Sequence, residues 1–410
     1  MEQKVCEQIE DLSRVPSIDL SKNNLSLRVY DSISKFSKTW DQINHKGILC
    51  SAGYLKAVEE SCPDGLDVYY SVIYQNEMPK GFVFFQIRKL EMAKALDIHT
   101  HSNNLMDRFS TWIKKKTLRL VNHDLLVIGN VLLTGQYSIN FCDSVPSELR
   151  SEYLELAIDG IIKFIKSKKK YNLQTILLKD FDPEEEHNLL LQDYTRFNVD
   201  PAMSMEIRPS WNHFDDYLED CKSKYKVRHK RAAKKGAQLK VRDLDLENLE
   251  IFKERMHDLY SQISQNVTFN LFDLQKDYFI SLKRNLNEKA IIKGIFLKDR
   301  MVAFYTLLKD ENAYDAHFIG YDIEENKKHQ IYHNMLFFMI NDSIEAKVQK
   351  IHLSRTAMEI KSSVGATGED LALYTKNLNG FINRLLKRYM PGFIPESNWV
   401  PRSPFKDKQE

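Results

Sequence analysis

Three stretches of the chain bring together side chains with usable chemistry. The first is SRTAMEIKSSVGATGED, residues 354–370. It follows KIHLS (350–354), which reads as a short strand, and binding residues commonly lie on the loops beyond such elements. Arg355, Glu359 and Lys361 crowd into seven residues. An arginine suits an anionic substrate or a bidentate carboxylate contact. A glutamate serves as a general base where burial raises its pKa. A lysine holds a phosphate or steadies a developing oxyanion. A surface turn with a local ion pair would use the same residues.

The second stretch is AYDAHFIGYD, residues 313–322, read as a central strand. Its alternation puts Tyr314, Ala316 and Phe318 on one face and Asp315, His317 and Ile319 on the other. A polar pair on a buried strand needs partners. Asp315 and His317 are read either as a catalytic acid–base pair or as a satisfied structural pair. Tyr321, farther along the strand, is placed with Arg355 and Lys361 as a substrate contact.

The third stretch is KSKYKVRHKRAAKKGAQLKVR, residues 222–242, with ten Lys or Arg and no acid. It follows the acidic FDDYLED (214–220), so a helix over 211–236 would run from acidic to basic and stop at Gly236. A solvated, well-capped helix explains this pattern. So does an anion site for the phosphates of a cofactor or of RNA, with Lys226, Arg228 and Arg231 as its contacts. Lys327 and Lys328, in ENKKHQ, are further candidates for the same anion. KVRHKRAAKK also reads as a nuclear-localisation signal, but nothing else in the sequence points to a nucleus.

Other chemistries find no pattern. There is no phosphate-binding G-x-x-x-x-G-K-[ST], no G-x-G-x-x-G, no nucleophile elbow G-x-S-x-G and no H-E-x-x-H. His99 and His101 are spaced as metal ligands but lack a third, so no metal is expected. The five cysteines, at 6, 50, 62, 142 and 221, form neither a disulfide framework nor a C-x-x-C site. Lys plus Arg is 59 and Asp plus Glu 57, a net charge of +2, which excludes a chain-wide nucleic-acid coat. Gly (14) and Pro (11) are too scarce for a disordered or collagenous chain. From the polar N-terminus no signal peptide is expected, and no run reaches the roughly 18 apolar residues that span a bilayer. A soluble cytoplasmic protein is expected.

The elements that must position these residues recur. VIYQNEMPKGFVFFQ (72–86) and GIFLKDRMVAFYTLL (294–308) both read as hairpins. The first is followed by LLVIGNVLL (125–133), a helix over 153–170 and the strand TILLKD (175–180). The second is followed by strand 313–322, a helix over 331–347 carrying Ile331, Met335, Phe338, Met339 and Ile344, and strand 350–354. Residues 244–286 read as two helices broken at NVTFN. The order β-β-β-α-β thus occurs twice. It divides the chain into 1–205, with an insertion near 90–125, and 206–410, opened by the basic helix 211–236.

This duplicated unit, the basic SKYKVRHKRAAKKG between the halves and the run IHLSRTAMEIKSSVGA together resemble a family. They look like the double-domain branch of the GNAT acyltransferases, which includes the Fem-type peptidoglycan aminoacyltransferases. The resemblance covers about residues 50–390 and is best in 211–365. It implies an α+β fold of two tandem GNAT-like domains, each a mixed, mostly antiparallel sheet flanked by helices. It places the family's substrate-end lysine on Lys361. It implies a bacterial acyltransferase that moves an acyl or aminoacyl group from a thioester or a charged tRNA to a small or peptide-like amine. The donor, acyl-CoA or aminoacyl-tRNA, would be a substrate and not a tightly bound cofactor; neither DNA nor a membrane span is involved. One departure is clear. GNAT enzymes cradle the donor pyrophosphate on a glycine loop, and residues 321–364 contain no glycine. Fem-type enzymes share that lack and use charged tRNA. The competing reading is a non-catalytic RNA-binding or scaffold protein that uses 222–242.

Overall fold

The computed structural model describes residues 17–20, 24–43, 47–90, 123–181, 193–265, 272–389 and 399–406. His99, His101, most of the expected insertion and NVTFN lie outside these residues.

Along the first half come β1 (Ser17–Asp19), β2 (Leu25–Tyr30), α1 (Ser37–Ile43), α2 (Ala52–Glu60), β3 (Leu66–Gln75), β4 (Met78–Leu90), β5 (His123–Ile128) and β6 (Ile139–Phe141). Next are α3 (Ser147–Ser167), β7 (Leu173–Phe181) and β8 (Thr195–Asn198). The second half has β9 (Ala202–Glu206), α4 (Phe214–Asp220), α5 (Ser223–Lys235), β10 (Leu239–Asp243), α6 (Leu246–Ser264), α7 (Tyr278–Leu286), β11 (Ala290–Leu297), β12 (Arg300–Lys309) and β13 (Ala313–Tyr321). It ends with α8 (Ile323–His329), α9 (Ile331–Glu345), β14 (Lys350–Ser354), α10 (Met358–Ser362), β15 (Thr367–Glu369), β16 (Ala372–Asn377) and α11 (Gly380–Tyr389).

Both expected hairpins are present, as β3–β4 and β11–β12. Each seeds one sheet. The first runs β1-β2-β3-β4-β5-β7-β16-β8, with β6 beside β4, and the second β10-β11-β12-β13-β14-β9-β15. In each, one neighbouring pair is parallel, β5–β7 and β13–β14, and every other pair is antiparallel. A helix, α3 or α9, connects each parallel pair, as a parallel connection requires. This is a mixed, mostly antiparallel α+β architecture, repeated.

The sheets do not divide the chain at 205/206. Strand β9 lies in the second sheet between β14 and β15, and β16 returns to the first between β7 and β8. β9, which spans that boundary, is thus built into the second sheet, and β16, the chain's last strand, into the first, at matching positions. The core reflects this. One apolar cluster lies between α3 and the first sheet, through Ile158, Ile161 and Val83. Another packs α9 against the second sheet, through Met335, Ile340 and Tyr305. The third joins the halves, from Trp40 and Tyr54 to Tyr278, Phe304 and Leu308.

Three local expectations change. The helix expected over 211–236 is two helices, because Cys221 is extended, buried and bridged to Phe405. The basic helix α5 ends on Gly236, whose φ is −87°; a Cβ there would strike the Asn334 amide. Strand β5 stops at Ile128, short of the expected LLVIGNVLL, because Gly129 (φ 154°) turns the chain where a Cβ would meet Lys179. Finally, strand β13 does not alternate throughout. Tyr305 faces Ile319 and Leu307 faces Ala316, so 317–318 form a bulge opposite Thr306. The Thr306 hydroxyl fills it, donating to Phe318 O and accepting from Phe318 N, both at 2.8 Å. Phe318 is thereby turned to the His317 side and Ile319 to the Ala316 side.

Candidate active site

Strands β13 and β14 are hydrogen-bonded only where Ala313–Asp315 meet Lys350–His352. Beyond that point β13 continues against β12, and β14 pairs with β9. In the first sheet, by contrast, β5 stays paired with β7 to its last residue, Ile128. The parted strands open a cavity of about 750 Å³. Its walls are Ala316, Phe318 and Ile319 of β13, Tyr332, Leu336 and Met339 of α9, Tyr260 and Ile263 of α6, and the first-half loop 131–137. An apolar cleft with a few convergent polar groups is the usual form of a small-molecule site.

Asp315, His317, Arg355, Lys361 and Tyr321 all line this one cavity. Asp315 is 9% exposed. Burial, reinforced by the Asp310 charge, pushes its carboxyl up to about 7. His317 is driven down to about 3 by burial and is neutral near pH 7. Its Nε2 is hydrogen-bonded to the Tyr278 hydroxyl, which lies 3.5 Å from that of Tyr54. Of the pair, only Asp315 has the poise of a general base at neutral pH.

Arg355 does not present a free cation. Its guanidinium is bonded to Asp180, a fully buried carboxylate at the end of β7. Lys179 is bonded to the same carboxylate and to the Leu133 carbonyl (2.6 Å), and the Gly135 amide donates to it at 2.9 Å. Burial alone would raise the Asp180 pKa, but Lys179 and Arg355 hold it below the usual range. Lys361 is also buried, which lowers its pKa to about 7. Its ammonium donates to the carbonyls of Ser354, at 3.3 Å, and Arg355. Those carbonyls belong to a strained turn in which Ser354, Thr356 and Ala357 have φ of 59°, 69° and 48°. Each such non-glycine residue costs of order 1 kcal/mol, and such strain clusters at functional sites.

Glu359 lies elsewhere. It is exposed, bonded to Arg402 at 3.1 Å and to the Val400 amide, which lower its pKa. That is a surface ion pair, not a general base. Lys327 and Lys328 are exposed on α8, beside Glu324 (2.7 Å) and Glu325 (3.4 Å). Arg228 and Arg231 project from α5 into a second cavity of about 250 Å³ with Gln330, His333, Glu359, Ile360 and Arg402. Lys226 is half-buried on the same helix and does not line it. The small cavity lies at the N-terminus of α9, where Gln330 provides no side-chain cap. Ile360 lines both cavities.

Asp180, Lys179 and the 131–137 loop were missed in the sequence. Their signal was a Lys-Asp pair ending the apolar strand TILLKD, since buried charges are paired. Among the described residues, no group of three or more His, Cys, Asp or Glu is arranged to hold a metal.

The crystal structure of FemX superposes on this chain with a TM-score of 0.50 at 12% identity, covering 86% of this chain and 98% of that one. The fold is like that of FemX, with two mixed, mostly antiparallel sheets flanked by helices. A tandem GNAT protein from the clavulanic acid pathway (8% identity, TM-score 0.48) covers 88% of this chain and 98% of its own. The C-terminal domain of a putative lysylphosphatidylglycerol synthetase from Agrobacterium fabrum (9%, 0.46) covers 88% and 97%. No protein-family model and no curated protein matches the sequence. The cavity lies between the two parallel strands of the second sheet. No helix among the described residues is long and apolar enough to cross a membrane.

Proposed function

We propose that this protein is an N-acyltransferase, with the reaction centred on residues 206–410 and the 131–137 loop of the first half closing the site. The observation that carries the reading is the parting of β13 from β14 over a cavity whose wall holds Asp315. The donor's arm would lie along residues 316–321, where β13 has no second strand to satisfy its backbone groups. The donor's phosphates would sit in the adjoining basic cavity with Arg228 and Arg231. A glycine loop is unnecessary if guanidinium groups and the α9 terminus take the phosphate.

The acceptor amine then approaches Asp315. The carboxylate takes its proton, the amine nitrogen bonds to the acyl carbon, and the bond from that carbon to the donor sulfur or oxygen breaks. The proton passes to the leaving group. Lys361 acts as a positioning residue that holds the strained turn and so the mouth of the cavity.

Thermal shift with acetyl-CoA, a long acyl-CoA, free CoA and a charged-tRNA pool tests the reading. A true donor at a hundred times its Kd stabilises by about 2.7 kcal/mol. A shift with an acyl-CoA assigns a thioester donor, and a shift with charged tRNA alone assigns aminoacyl transfer. Silence from all of them contradicts the proposal.

A further inference from the structure

Helix α11, GFINRLLKRY, turns its apolar side away from the protein. Phe381 is 68% exposed, Leu385 41% and Ile382 39%. These positions, i, i+1 and i+4, share one face of a helix. Amphipathic helices of globular proteins normally bury that face. Here the opposite side is moored. The Asn383 amide donates to the Asp193 carbonyl at 2.9 Å, its oxygen accepts from the Asn377 amide, and Lys387 lies 3.9 Å from the Asp193 carboxylate. Asn379 caps the helix start through the Phe381 and Ile382 amides. Nothing lies within 4 Å of the Cβ position of Gly380. The helix is fixed in place with its apolar face outward.

The charges on that helix are all of one sign. Arg384, Lys387 and Arg388 are exposed, and no acid occurs between 380 and 389. Arg384 and Arg388 stand three and seven residues after Phe381 and so flank the apolar stripe. A second copy of this chain across a two-fold axis would set these cations against themselves. An anionic bilayer surface complements both features. The apolar side chains enter the acyl boundary while the arginines reach the headgroups.

We propose that α11 docks the protein peripherally on membranes rich in anionic lipid. The helix has ten residues and lies on the surface; it does not span. This surface is independent of the cavity and of the reaction assigned to it.

The test is flotation of the full-length protein with phosphatidylglycerol-rich vesicles and with vesicles of phosphatidylcholine alone. Binding is expected to the anionic vesicles only and to fall as salt rises. Phe381→Ser with Leu385→Ser is expected to weaken it about tenfold or more, since exposed side chains contribute their apolar area only on docking. Arg384→Glu with Arg388→Glu should abolish it at low salt. Unchanged far-UV circular dichroism and melting would show that both variants are folded. No flotation of the wild type, or equal flotation of the serine variant, overturns the proposal. A wild-type dimer in sedimentation that the serine variant loses would give the face to a second copy and overturn it as well.

Discussion

The guanidinium of Arg355, at the end of β14, is bonded to the buried carboxylate of Asp180, at the end of β7. The two parallel strands of the two sheets thus meet through one ion pair beside the cavity. Asp180 also neutralises Lys179. Removing this carboxylate leaves two buried or half-buried cations without their partner. Asp180→Ala should therefore destabilise by about 3–5 kcal/mol in urea unfolding, the usual cost of breaking a buried pair. Arg355→Met should cost less, because Lys179 still faces Asp180. The Asp180 pKa is lowered by folding, so its stabilisation is present above the unfolded value and lost as pH falls through the folded one.

Lys361 acts in the same direction as Asp180, over a higher pH window. Its ammonium is ordinary in the unfolded chain but burial brings its pKa to about 7 in the fold. Between pH 7 and the ordinary lysine range the unfolded state binds more protons. Stability should therefore rise with pH across that window, by about 2–3 kcal/mol from pH 7 to pH 9 for this group. Lys361→Met should remove that slope, read by urea titrations at the two pH values. An identical slope in the variant would assign the pH dependence to other groups.

Much of the fold was legible because it is written in alternation and in hairpin turns, as in 72–86 and 294–308. The exchange of β9 and β16 was not. AMSME and ALYTKN are short strands whose side chains do not specify which sheet receives them. The site was half legible. Asp315, His317, Arg355, Lys361 and Tyr321 do converge. Glu359 was grouped with Lys361 by proximity, yet residues two apart on a helix point to different sides. One meets solvent and the other is buried. The bulge at 317–318 depends on a hydroxyl from the neighbouring strand, Thr306, which no reading of β13 alone contains.

Gly320 lies where β13 passes α6. A Cβ there would press on Phe304 and on the backbone at Leu259 and Tyr260. Backbone atoms cannot yield as a flexible side chain does. Gly320→Ala should cost about 1–3 kcal/mol by overpacking and should distort the Phe318 side of the cavity. Melting temperature checks the first effect, and donor-induced thermal shift the second.

The basic cavity makes a separate claim. Replacing Arg228 and Arg231 by Gln should weaken the donor without unfolding the protein, because Arg231 is exposed and Arg228 only half-buried. Each lost charge-assisted contact is worth about 1.5–3 kcal/mol, so the donor Kd should rise more than tenfold. Lys327→Gln with Lys328→Gln, on paired surface lysines, should change it little. Isothermal titration with the donor identified by thermal shift gives both comparisons.

The base decides the account. Labelled donor, as acyl-CoA or charged tRNA, is mixed with a panel of primary amines, and transfer is followed across pH in single turnovers. The wild-type rate should rise with pH and level off above about 7, the value to which burial brings Asp315. Asp315→Asn should lose about 100-fold or more and the inflection with it, while keeping its melting temperature and donor affinity. Transfer by Asp315→Asn at the wild-type rate, with the inflection intact, would contradict the account.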